Sequence, residues 1–117
     1  MALIRLDVVS DVVCPYCWLG KARLDAALKA HPELEVEVAF RPFQLDPETP
    51  REGVDAQQYM RDRFGPALER IREGQAHLRA AASDAGIRYR FDEIPRQPNT
   101  LNAHRLIRWA QADGKGP

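Results

Sequence analysis

Surplus charge, long apolar runs, cysteine and histidine are all scarce in these 117 residues. Seventeen basic and seventeen acidic side chains cancel to a formal net charge of zero, without the basic excess expected of a general nucleic-acid-binding protein. No uninterrupted apolar stretch approaches the roughly 20 residues needed to span a bilayer. The opening Met1-Ala2-Leu3-Ile4-Arg5-Leu6-Asp7 meets charge too early for the apolar region of a signal peptide. The expected partners therefore include neither nucleic acid nor membrane, and the expected location is the cytoplasm. His31, His77 and His104 are scattered rather than paired at finger-like spacing, so a zinc site would lack ligands and no metal is expected. Internal repeats and low-complexity tracts are absent, and the length suits one domain.

The cysteines that are present, Cys14 and Cys17, lie three positions apart where a strand-like run gives way to a helical pattern. In a reducing compartment such a pair is catalytic or metal-binding rather than a structural staple. A helix start offers unpaired backbone N–H groups and the positive end of the helix dipole, which favour a thiolate, the form that attacks disulfides. The second sulfur, one turn on, falls on nearly the same face and within reach of a short ring. Half a zinc site, inert core cysteines, and glutathione chemistry using Cys14 alone are the competing readings. The dithiol reading makes Cys14 the attacking thiol and Cys17 the more buried, resolving one. Pro15 stiffens the turn, Tyr16 sits where it tunes the redox poise, and Asp11 either tunes Cys14 or serves as a turn or cap.

Around this centre, Leu3–Val9 reads as a largely buried strand and Glu35–Phe40 alternates as a second one, with Val36, Val38 and Phe40 on one face. A helix of about 15 residues between them, started by Pro15 and stopped by His31-Pro32, makes a βαβ unit with parallel strands and a right-handed crossover. Residues 41–54 carry prolines and glycine and read as a loop. Helices follow over 55–64, capped by Asp55, and over 67–85, ended by Gly86. Residues 87–91 alternate briefly, as an extended segment or edge strand. A last helix, capped by Asn99 or Thr100, carries Ala103, Leu106, Ile107 and Ala110 as its apolar stripe. Two strands cannot hold a core alone, so this inventory reads as the front portion of a larger fold.

Asp11-Val12-Val13-Cys14-Pro15-Tyr16-Cys17-Trp18-Leu19-Gly20, Arg41-Pro42-Phe43-Gln44-Leu45-Asp46-Pro47 and Pro98-Asn99-Thr100-Leu101-Asn102-Ala103-His104-Arg105-Leu106 together resemble the thioredoxin-like superfamily. The closer resemblance is to its DsbA-like branch, with FrnE-type oxidoreductases and 2-hydroxychromene-2-carboxylate isomerases. It implies an α/β fold: a thioredoxin-like βαβ front end over residues 1–45, then an inserted helical subdomain over 46–117, truncated before the cis-proline loop and later strands. Similar isomerases and kappa-class glutathione transferases typically carry serine at the position of Cys14 and lack the second cysteine, so keeping both points to disulfide chemistry. Cys-Pro-Tyr-Cys is also the glutaredoxin active-site sequence, but the Thr-Val-Pro and Gly-Gly stretches of that family are missing.

The activity implied is cytosolic thiol–disulfide exchange. No cofactor would be bound beyond the redox disulfide Cys14–Cys17; the partner would be a protein or glutathione thiol or disulfide, with glutathione as co-substrate. A glutathione-dependent isomerase or transferase, a glutaredoxin-like enzyme, and an inactive or partner-binding half-domain remain as alternatives, and an incomplete sheet suggests a homodimer. Phe43, Asn99, His104 and Arg105 line the substrate site in the resemblance. Read as residues alone, Asn99 caps a helix, His104 bonds a neighbouring carbonyl and Arg105 is solvated. Trp18, Trp109 and Phe43 form either a peptide-binding surface or buried packing.

Overall fold

The computed structural model describes residues 2–117. Strand β1 (Ile4–Ser10) and strand β2 (Val36–Pro42) pair in parallel, in register from Ile4 opposite Val36 to Ser10 opposite Pro42. Helix α1 (Pro15–Ala30) connects them. Pro15 takes the first helical position, where its missing N–H costs no hydrogen bond, and Pro32 lies just beyond the end. Arg5 meets Glu37 at 3.8 Å directly across the ladder, and Arg41 meets Asp7 at 3.1 Å. Both pairs are solvent-exposed, so their contribution is to register more than to stability.

The strand read as largely buried is not. Leu6, Val8 and Ser10 are half-covered, while Ile4 and Val9 are exposed, because β1 has one strand neighbour in a two-stranded sheet. In β2 the expected face holds: Val36, Val38 and Phe40 are half-buried and Glu37 faces water.

The chain divides into two compact units, residues 2–47 with Thr100–Pro117, and Glu48–Asn99. The closing helix α4 (Leu101–Ala112) packs on β2. Gln111 explains this. Its Oε1 accepts from the Phe40 amide at 2.7 Å and its Nε2 donates to the Phe40 carbonyl at 3.0 Å, so one side-chain amide substitutes for a strand's peptide group. Of the expected stripe on α4, Ala103, Ile107 and Ala110 are half-buried and Leu106 is 65% exposed. Thr100 and His104 are buried, with Ile107 and Gln111 partly covered, at helical spacing. Thr100 occupies the N-cap position without a cap bond from its own hydroxyl.

The second unit contains β3 (Val54–Asp55), α2 (Ala56–Phe64), α3 (Leu68–Ala82) and β4 (Arg96–Gln97). Asp55 caps α2 as expected, its Oδ2 accepting from the Gln58 amide at 2.9 Å. A 3-10 turn at Ser83–Ala85 extends α3 to Gly86, whose φ of +76° ends it. Ala56, Leu78, Ala82, Ile87 and Tyr89 form the core. Residues 87–91 alternate in burial without joining a sheet, and Tyr89 stacks on Phe91 at 5.0 Å. The antiparallel pairing of β3 with β4 falls in segments read as loop; it is two residues long on each side. Arg96 secures it by donating to the carbonyls of Glu52 and Gly53 at 3.2 and 2.8 Å.

Candidate active site

Cys14 is the N-cap of α1, with φ −87° and ψ 113°, so its side chain stands at the mouth of the helix as the chain leaves β1. Its Sγ accepts from the Cys17 amide at 3.4 Å, the bond that a serine or aspartate oxygen would make in an ordinary cap. Both cysteines are half-buried thiols, with no disulfide between them in this structure. Pro15 is half-covered between them, and Tyr16 is 62% exposed. Burial pushes the Cys17 thiol above its ordinary 9.0; the neighbouring Cys14 sulfur and the Asp11 charge push the same way, against a hydrogen bond from the Asp11 backbone amide.

Asp11 holds the turn that leads into Cys14, and its side chain is a buried centre of bonding. Its carboxylate is buried, with Oδ1 accepting from the Val12 amide at 2.8 Å and Oδ2 from the Leu45 amide at 2.9 Å. Its backbone carbonyl accepts from the Cys14 amide at 3.2 Å. The third carboxylate donor is His104, whose Nε2 lies 3.0 Å from Oδ1 and 3.2 Å from the Phe43 carbonyl oxygen. Both partners only accept, so that nitrogen carries the proton.

The structure thus joins Asp11, His104 and the backbone of Phe43 beside the cysteine loop, and leaves the other expected residues outside this cluster. Arg105 is exposed and donates to Asn102 at 3.0 Å on its own helix. Asn99 belongs to the other unit, where its Nδ2 donates to the Thr49 carbonyl at 2.7 Å. Trp18, Trp109 and Phe43 are each more than half exposed, so the buried-packing reading does not hold for them. A cleft of about 190 Å³ lies between the end of β2 and α4, lined by Ser10, Arg41, Pro42, His104, Arg108 and Gln111 among others. The pairing of Asp11 with His104 escaped the sequence reading because the two are 93 positions apart. The available signal was Thr100, His104, Ile107 and Gln111 at helical spacing, a stripe with polar residues in it.

The DSBA-like thioredoxin domain model matches residues 5–117. A crystal structure of a probable DsbA oxidoreductase from Streptomyces coelicolor superposes with a TM-score of 0.78 at 34% identity, over 95% of this chain and 48% of that one. The uncharacterized protein YwbO of Bacillus subtilis (strain 168) is 29% identical over 118 residues, which is 97% of this chain and 50% of YwbO. The chain spans about half the length of both relatives.

Proposed function

This chain belongs to the DSBA-like thioredoxin domain family and carries its mixed α/β fold, and from that premise we propose that it is a thiol–disulfide oxidoreductase built on Cys14 and Cys17. The observation that carries the proposal is Cys14 as the N-cap of α1, its sulfur facing the helix-start amide of Cys17 one turn along. Such a sulfur is held where a thiolate is stabilised and where a second thiol can reach it.

In the proposed reaction the Cys14 thiolate attacks a substrate disulfide, forming a mixed disulfide and releasing one substrate thiolate. Cys17, deprotonated, then attacks the Cys14 sulfur; the second substrate thiolate leaves with the electron pair and takes up a proton. Two electrons pass from the dithiol to the substrate, and the reverse sequence oxidises a substrate dithiol. The sulfurs are themselves the redox group, so no bound cofactor is invoked. The substrate is a protein disulfide or glutathione disulfide, and in the reverse direction the corresponding thiol, in the cytoplasm. Tyr16 and the exposed Phe43 supply apolar surface for it, with the exposed Arg105 as a polar contact.

Equilibration in a glutathione redox buffer tests this. A Cys14–Cys17 disulfide is expected in the native chain, and Cys17→Ser is expected to stop at a glutathione adduct on Cys14, both visible by mass spectrometry after acid quench. Absence of the 14–17 disulfide at every glutathione ratio overturns the dithiol mechanism. Glutathione-dependent isomerase activity retained by Cys14→Ser would replace it with a different one.

A further inference from the structure

We infer that His104 is a positioning residue of the dithiol centre: through its hydrogen bond to the buried Asp11 carboxylate, it sets how fast Cys17 resolves a mixed disulfide on Cys14. The inference rests on the thiol–disulfide reading above and extends it to a residue that touches neither sulfur.

Asp11 meets both cysteines through its backbone. Its carbonyl receives the Cys14 amide, and its own amide bonds the Cys17 sulfur. What fixes Asp11 is its side chain, held by the Val12 and Leu45 amides and by His104. Two of these three donors come from loops; His104 alone comes from a helix, α4. Its ring is itself buried and anchored a second time on the Phe43 carbonyl.

The electrostatics run in the same direction. The Asp11 charge opposes ionisation of Cys17, and a hydrogen-bond donor on that carboxylate draws its charge away from the sulfur. Without the donor, the buried carboxylate loses one of its three restraints and the N–H dipole that faces it. Cys17 must be a thiolate to attack, so the resolving step slows while the first attack by Cys14 does not. The charged groups facing His104 are Asp11 from the loop before α1, with Arg41 on β2, itself paired with Asp7, and Arg108 on α4 lining the same cleft; Asp11 in turn faces Cys17.

The test mixes the reduced full chain with glutathione disulfide and follows reduced protein, Cys14 adduct and 14–17 disulfide by rapid acid quench. His104→Ala and the volume-conserving His104→Phe should form the adduct at the native rate and resolve it about tenfold more slowly, the change produced by one pH unit of lost thiolate. His104→Gln, which keeps a donor, should recover most of the native rate. A folded donorless variant resolving at the native rate, or His104→Gln resolving as slowly as His104→Phe, overturns the inference. If neither donorless variant folds, the ring-nitrogen NMR shifts of His104 in the native chain decide, since coupling is reciprocal. The Nε2 shift should differ between dithiol and disulfide forms, and equal shifts overturn the inference. A native chain that forms the adduct but never the 14–17 disulfide would instead remove the underlying oxidoreductase reading.

Discussion

The Cys17 thiol is where burial, a neighbouring sulfur and a buried carboxylate act together, and all three oppose its ionisation. A native-state thiol raised above 9.0 holds its proton longer than the same thiol in the unfolded chain. Its contribution to stability is therefore complete below the unfolded value and is lost as pH rises through the native one. Alkylation of the reduced chain should accordingly label Cys14 before Cys17 at neutral to mildly alkaline pH, with Cys17 catching up only above its ordinary value. Cys14→Ser should bring the Cys17 profile back toward lower pH, because one of the opposing causes is then gone. Peptide-resolved iodoacetamide kinetics across that range provide the measurement, and equal rates for both thiols would refute it. Reading these two residues from sequence needed only their position: three apart, after a strand, with proline between them. The buried partner that acts on Cys17 had no such local mark.

Among the elements, the β3–β4 ribbon is the smallest and has the sharpest steric requirement. Gly53 is buried with φ +79°, and a Cβ there would lie 2.9 Å from the Gln97 carbonyl oxygen across the ribbon. Gly53→Ala should therefore cost about 1–3 kcal/mol, through backbone strain and separation of the two strands. Urea denaturation followed by circular dichroism gives the number, and an unchanged midpoint would show that the ribbon shifts freely. Sequence could not reveal this pairing: residues 54–55 and 96–97 are too short for an alternation, and prolines flank the second pair. The longer elements were legible because proline, glycine and Asp55 punctuate their ends and apolar spacing fills their interiors. Helix α4 shows the limit of that spacing. Leu106 fits an apolar stripe, but the face that packs is set by His104 and Gln111, whose hydrogen bonds reach Asp11 and Phe40.

At the scale of the whole molecule, apolar surface is left uncovered in the unit that carries the cysteines. Leu19 is the buried hydrophobic residue there among the described residues, while Val9, Phe43, Leu106 and Trp109 are each more than half exposed. Apolar surface of this extent favours association. Sedimentation velocity should show a concentration-dependent dimer or larger species, and Leu106→Glu with Trp109→Glu should shift it toward monomer. A native chain that stays monomeric at high concentration would remove the homodimer proposal. No described helix is long and apolar enough to cross a membrane.

Asn99, which bonds the Thr49 carbonyl at 2.7 Å, gives the insertion a part in the order of assembly. The contacts that complete the cysteine-bearing unit join residues 93 and 71 positions apart, and an open chain loses entropy closing each of them. When the Glu48–Asn99 segment folds first, its own two ends are drawn together by Asn99 and Thr49, and the span left to close is short. On a ribosome the helical insertion emerges before α4, so vectorial synthesis delivers the pieces in the order that makes docking of the last helix entropically cheap. The dithiol acquires its Asp11–His104 clamp only when that last helix arrives.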